Sequence, residues 1–303
     1  MPENIDCNLC GGNKTKTLFP RVDSYIVQCK ECGLVYQNPR LPEEEILKQI
    51  ISDGIEVQHK KTVWYDSKIK LFKKNLKRIE RHSPRGKLLD VGCGYGTFLK
   101  MAEDSGWQVQ GVEVSTSASN YAKDKLGLNI FKGVLKGAGF PDNYFDAVTL
   151  WGVLGTLYNP TEELKQVKKV LKEGGLIALR LNNAVFHISI HRFFRYLGNP
   201  DKKLNLKPTI FHLYSFSPKT IRKILEKTGF VAIKVIPSEL TEGDPYSTGG
   251  VFGQSGMTVI KKIIFSLSRL IFYLTGGSLI LAPSILVFAK KPSNGSGKGH
   301  VKN

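Results

Sequence analysis

Acidic residues are scarce in this 303-residue chain: 26 Asp and Glu stand against 44 Lys and Arg, for a formal net charge of +18. That deficit excludes an acidic solvating protein and predicts attraction to something anionic, whether nucleic acid, an acidic membrane surface or a phosphorylated substrate. Cysteine is sparse too, five in all, which is too few for a disulfide scaffold. Met1-Pro2-Glu3-Asn4 opens neither a basic stretch nor an apolar run, so no secretory leader is expected and the default compartment is the cytosol, where cysteines mean metal or free thiol. With 41% hydrophobic and 23% charged residues, wholesale disorder, collagen and coiled coil are excluded. The length allows one enzyme-sized domain and a small appendage.

The basic excess is unevenly placed. Residues 60–87 carry 11 basic and 2 acidic side chains (+9) and residues 190–303 carry 17 and 5 (+12), while residues 88–189 balance at 10 and 10. Ahead of this lie two cysteine pairs, Cys7/Cys10 and Cys29/Cys32, separated by 18 residues and each followed by a glycine. This spacing predicts a four-thiolate structural zinc site in a zinc ribbon over residues 1–58, with strands near 24–28 and 34–36. A module this small and polar draws much of its folding free energy from the metal.

After a basic helical stretch from Lys60 to His82 comes Lys87-Leu88-Leu89-Asp90-Val91-Gly92-Cys93-Gly94-Tyr95-Gly96, an apolar strand running into a glycine-rich turn that opens a helix. Such a turn lets a ligand approach the backbone at the carboxyl end of a strand. The next strand, 108–113, ends in Glu113, 17 residues beyond Gly96, a carboxylate suited to ribose hydroxyls. Strands are also expected at 128–132, 145–151 and 176–181, at 230–236, and at 284–289, where the last would run antiparallel.

At Leu88–Gly96, Glu113, Phe140-Pro141-Asp142 with Phe145-Asp146, and Leu171–Gly175, the chain resembles the class I S-adenosylmethionine-dependent methyltransferases. The resemblance implies an α/β fold with a seven-stranded Rossmann-like sheet over residues 59–291, mostly parallel with the last strand antiparallel. It implies S-adenosyl-L-methionine as cofactor, held by Asp90 and the Gly92, Cys93, Gly94 and Gly96 turn, with Glu113 on the ribose, Leu135 by the adenine and Trp151 facing the pocket. Cys93 itself reads as a small buried side chain. Relatives in ubiquinone biosynthesis often carry a Glu-His pair after the fourth strand, whereas this chain has Gly155-Thr156 there, so a general base must come from elsewhere or positioning alone must suffice.

An insertion over 182–216 holds His187, His191 and His212 among Arg192, Arg195, Lys202, Lys203 and Lys207 and is expected to cap the acceptor. His212, just ahead of a helix capped by Ser217, is the expected general base. A second insertion, 237–282, contains an amphipathic stretch, Met257–Thr275, with Lys262, Ser266, Arg269 and Tyr273 in a polar stripe beside a broad apolar surface; Lys261 adds a further cation. Burial, pairing in a homodimer and peripheral contact with the inner face of a membrane all suit it. The tail 292–303 reads as disordered.

The function expected is therefore methyl transfer to a small-molecule, sugar or lipid-linked acceptor. An RNA methyltransferase and a non-catalytic cofactor-binding scaffold stand as the alternatives. The sequence lacks the Asn/Asp-Pro-Pro-aromatic run and the nucleophilic cysteine of base-modifying enzymes, which ranks nucleic acid behind the small acceptors.

Overall fold

The computed structural model describes residues 1–48, 63–196, 212–239 and 253–293. Three antiparallel strands come first, β1 (Thr15–Arg21), β2 (Ser24–Cys29) and β3 (Val35–Asn38), and a short helical turn spans 43–48. Helix α1 (Val63–Glu80) leads into alternating elements: β4 (Lys87–Val91), α2 (Thr97–Asp104), β5 (Gln108–Glu113), α3 (Thr116–Leu126), β6 (Ile130–Lys132), β7 (Phe145–Trp151), α4 (Pro160–Val170), β8 (Leu171–Asn182) and α5 (Ala184–Tyr196). After it come β9 (Tyr214–Ser215), α6 (Pro218–Lys227), β10 (Val231–Ser238), α7 (Gly253–Leu274) and β11 (Ser284–Lys290).

Seven strands form one sheet in the order β10-β11-β8-β7-β4-β5-β6. All neighbours pair in parallel except β11, which runs antiparallel to both β8 and β10. The alternating fold class is thus as expected, because each crossover helix returns the chain to the same end of the sheet. Strand β8 starts at Leu171, five residues earlier than the sequence suggested, since Leu171 already pairs with Phe145 across an irregularity in register. The two sheet faces follow the period-2 rule along β11: Ile285, Val287 and Ala289 join one apolar cluster while Leu286 and Phe288 join the other. Phe72 and Ile79 of α1 cover the second face, and Trp107 fills in behind them.

The first cluster does not stop at the large sheet. Cys7, Leu34 and Tyr36 belong to it together with Leu150, Tyr214 and Ile285, so the cysteine-bearing strands share a continuous apolar core with the sheet. They also share a strand: β9 pairs antiparallel with β3, giving a four-stranded order β1-β2-β3-β9. The expected cap thereby contributes a strand to the expected ribbon. Among the described residues no helix is long and apolar enough to cross a membrane. The expected boundary at residue 58, Lys202, Lys203, Lys207 and most of the tail lie outside the described residues, as does the Arg195 side chain.

Candidate active site

The two cysteine pairs fold as near copies. Gly11 N donates to Cys7 O at 2.7 Å and Gly33 N to Cys29 O at 3.0 Å, and both glycines take positive φ, 79° and 84°, to make the turn. The four sulfurs of Cys7, Cys10, Cys29 and Cys32 all lie within 4.8 Å of one another. Tetrahedral zinc with bonds of about 2.3 Å needs sulfurs roughly 3.8 Å apart, so this set fits the ion. Gly12 N and Leu34 N donate to the sulfurs of Cys10 and Cys32 at 3.4 and 3.5 Å, which favours the thiolate form that binds metal.

The glycine-rich turn follows β4 directly. Gly92, Gly94 and Gly96 all have positive φ (69°, 55° and 75°). Their reasons differ: a Cβ on Gly96 would strike Leu128 and Ala122 of the neighbouring packing, whereas one on Gly94 would enter open space. That open face is where a ligand can approach the backbone. Glu113, buried at the end of β5, accepts hydrogen bonds from Gly94 N and Ser115 N, both at 2.8 Å, and so locks the turn while its remaining lone pairs stay available. Asp90 is buried beneath and accepts from Thr149 Oγ1 at 2.6 Å. Burial pushes its carboxyl up to about 8, Thr149 opposes that, and the nearby Glu113 charge adds to it.

Beside the turn opens a cavity of about 340 Å³ lined by Gly92, Glu113, Leu135, Val153 and Glu163, with Ile46 of the 43–48 turn over it. Of the expected cofactor residues it gathers Gly92, Glu113 and Leu135. Asp90, Cys93, Gly94, Gly96 and Trp151 are not among its lining residues. The Trp151 ring packs 4.9 Å from Phe98 and 5.9 Å from Phe72, measured between centroids, on the side of the sheet that α1 and α2 cover. Cys93 is buried in the same cluster, and burial raises its thiol. Sequence reasoning missed Glu163, whose carboxyl burial lifts to about 7; no motif marks it, since only the docking of 43–48 closes the cavity around it.

A smaller recess of about 30 Å³ lies across the 152–156 loop, lined by Gly152, Gly155, Arg180, Asn182, His212 and Tyr214. His212 is half-buried, and burial together with the Arg21 charge lowers its pKa below the ordinary histidine value. It is therefore neutral near pH 7 and able to take up a proton.

The profile described as a methyltransferase domain matches residues 65–235, more than half of the chain. The chain belongs to the methyltransferase-domain family. An uncharacterised protein of Methanocaldococcus jannaschii is 26% identical over 203 residues, covering 65% of this chain and 92% of its own length. The ubiquinone/menaquinone biosynthesis C-methyltransferase of Burkholderia mallei is 31% identical over 106 residues, but that match spans only 31% of this chain and 42% of the relative. In fold, the chain is similar to one from the complex between the Haloferax volcanii Trm112 methyltransferase activator and a methyltransferase, with TM-score 0.52, 14% identity, and 82% and 100% of the two chains covered.

The methyltransferase takes S-adenosyl-L-methionine as its cofactor, and the positive-φ turn, the open face at Gly94 and the cavity beside Glu113 fit that group. Its three cap histidines are not brought together in one role. His187 is buried against Phe186, His191 lies 4.0 Å, ring to ring, from Phe19 of β1, and only His212 lines the recess. The glycine at the position of the missing acid has a steric cause. Tyr214 N donates to Gly155 O at 2.9 Å, and a Cβ on Gly155 would come within 2.7 Å of Tyr214 O. Strand β9 occupies the place an acidic side chain would need.

Proposed function

We propose that this methyltransferase acts on a small-molecule, sugar or lipid-linked acceptor that enters from the recess side, with His212 as general base. The observation that carries the reading is that the 152–156 loop lines both spaces, Gly152 and Gly155 the recess that holds His212, and Val153 and Thr156 the cavity beside Glu113. The cofactor supplies an electrophilic methyl group on a sulfonium. Glu113 accepts the ribose hydroxyls, the Gly92–Gly96 backbone and Asp90 hold the methionine end, and Leu135 packs by the adenine. For a hydroxyl acceptor, the cofactor would give up its methyl group to the acceptor oxygen and leave as the neutral thioether, and a His212 ring nitrogen would take the proton from that oxygen. Cys7, Cys10, Cys29 and Cys32 hold structural zinc within a ribbon over 1–58, followed by the catalytic domain over 59–291.

His212→Ala is expected to lower turnover by about 10²–10⁴-fold with cofactor affinity unchanged. In the parent enzyme the His212 contribution should appear as an acid limb lying below the ordinary histidine pKa, absent from His212→Ala, because burial and Arg21 depress the pKa of His212. A pH–rate profile of kcat/KM reads this, and an acid limb at or above the ordinary value removes His212 from the role. Glu113→Ala takes away a charged acceptor and two amide partners, so calorimetry should find cofactor binding weaker by roughly 1.5–3 kcal/mol. Methylation of an RNA fraction, with none on lipid, sugar or small-molecule fractions, would overturn the acceptor assignment.

A further inference from the structure

We propose that α7 is a membrane-docking surface that lays the acceptor side of the enzyme against an anionic lipid layer. This rests on the methyltransferase reading and narrows its acceptor to one that resides in or on the lipid. Ile263, Leu267, Leu270 and Leu274 follow one another at spacings of 4, 3 and 4 residues, which places them in a single stripe along the helix. Their exposures are 54%, 54%, 53% and 77%. The opposite side is the one that packs inward: Ser268 is buried and Phe272 touches the main apolar core.

The flank of the stripe selects the occupant. Lys262, Ser266, Arg269 and Tyr273 form the adjoining row, all exposed, and the Arg269 guanidinium lies 5.8 Å from the Tyr273 ring. Over its 22 residues α7 contains three basic side chains and no acidic one. A second copy of the helix paired along this face would bring only cations toward cations, whereas an anionic lipid surface complements the row and accepts the apolar stripe below the headgroups. The aromatic-cation pairing suits the same depth, since both groups have an apolar body and a polar end.

The position of α7 ties this surface to the chemistry. It connects the end of β10 to the start of β11, at the edge where β8 also ends, with Ser238 paired to Ser284 and Ser284 to Asn182. Arg180, which lines the recess, donates to Ser238 Oγ, Glu239 O and Ser284 Oγ. Asn183 donates to Ile280 O and Ala282 O just after the helix. The segments on which α7 is mounted are therefore bonded to Arg180 of the recess lining, and on this proposal a lipid-linked acceptor reaches the recess from the layer on which α7 rests.

The test is flotation of the full-length protein with phosphatidylcholine vesicles, with and without phosphatidylglycerol, at low and high salt. The wild type should float with the anionic vesicles at low salt and lose that binding at high salt. Lys262→Gln/Arg269→Gln should bind about tenfold or more weakly, and Leu267→Ser/Leu270→Ser should lose binding. All four residues are exposed, so both variants should keep the parent's melting temperature and calorimetric affinity for S-adenosylmethionine. Loss of cofactor binding in the wild type would instead count against the methyltransferase reading, whatever the vesicles show. The docking proposal is overturned if the wild type stays with the unbound fraction at low salt, if both variants float as well as the parent, or if sedimentation shows a dimer that Leu267→Ser/Leu270→Ser dissolves while vesicles bind nothing.

Discussion

Cys29→Ser should release the zinc and, with it, the acceptor side of the active site. The ribbon strands are short, and apparent metal-binding free energies of about 10–16 kcal/mol in small zinc modules exceed what so little apolar burial can replace. The damage spreads through identified bonds. Asn8, between the first two cysteines, accepts from Thr161 N at 3.1 Å and donates to Asn159 Oδ1 at 2.8 Å, at the amino end of α4. Lys227 Nζ donates to Leu9 O at 2.6 Å. Arg40, buried, donates to Tyr158 O and to the Tyr214 hydroxyl and lies 3.7 Å over the Tyr158 ring. Loosening these shifts Tyr214 and its neighbour His212, and a misplacement of about 1 Å at a reacting group costs on the order of 10²-fold in rate. The turn at Gly92–Gly96 is held by β4 and β5 and should persist, whereas Ile46, Tyr158 and Asn159 also line the cavity, so cofactor affinity should fall by less than turnover. Metal analysis, single-turnover rates and calorimetry on the same preparation separate the two effects. An apo-variant with normal turnover would break the link between ribbon and acceptor site.

Gly155→Glu, which puts an acid where the sequence resemblance leads one to expect it, should disable this enzyme. Even the first side-chain carbon has no room, at 2.7 Å from Tyr214 O and 3.5 Å from His212 Cβ. One of these is backbone within β9, so relief requires moving a strand of the ribbon sheet. Overpacking of this kind costs about 1–3 kcal/mol. Gly155→Ala isolates the steric part and should lower the melting temperature by several degrees at that cost. Its φ is not in the left-handed region, so any loss in the Ala variant reports crowding. Activity in Gly155→Glu equal to the parent would mean that β9 moves away from the loop during turnover.

Local signals carried much of the fold in the sequence. The strand-turn-helix at Leu88–Gly96 and the paired cysteines are short motifs whose geometry is set within a few residues, and both are read without knowing what packs on them. Even the Ser217 cap with Pro218 following it was legible, and its capping box is formed with Thr220. What stayed hidden depends on residues far apart in the chain. Nothing in Tyr214-Ser215 marks it as the fourth strand of a sheet begun at Thr15, since two residues carry no periodicity. The surroundings of Trp151 are hidden for a related reason: strand alternation assigns it to one of two faces, and the packing of Phe72 and Phe98 against its ring comes from elements distant in the chain. Arg180 and the 43–48 turn likewise come to line the recess and the cavity only through what the tertiary structure brings beside them.

The late arrival of β9 also shapes how the chain is made. Once Cys32 has been synthesised the metal can bind, and β1, β2 and β3 can pair, but the outer edge of β3 waits for a partner that lies 214 − 38 = 176 residues downstream of its end. At synthesis rates of about 5–20 residues per second that interval is roughly 9–35 s. Throughout it, the edge carrying Val35 and Tyr36, both almost wholly buried in the finished protein, is open to any other strand. The cysteine module therefore leaves the ribosome unfinished, and closing its sheet and forming the recess lined by His212 and Tyr214 both wait for the same late segment.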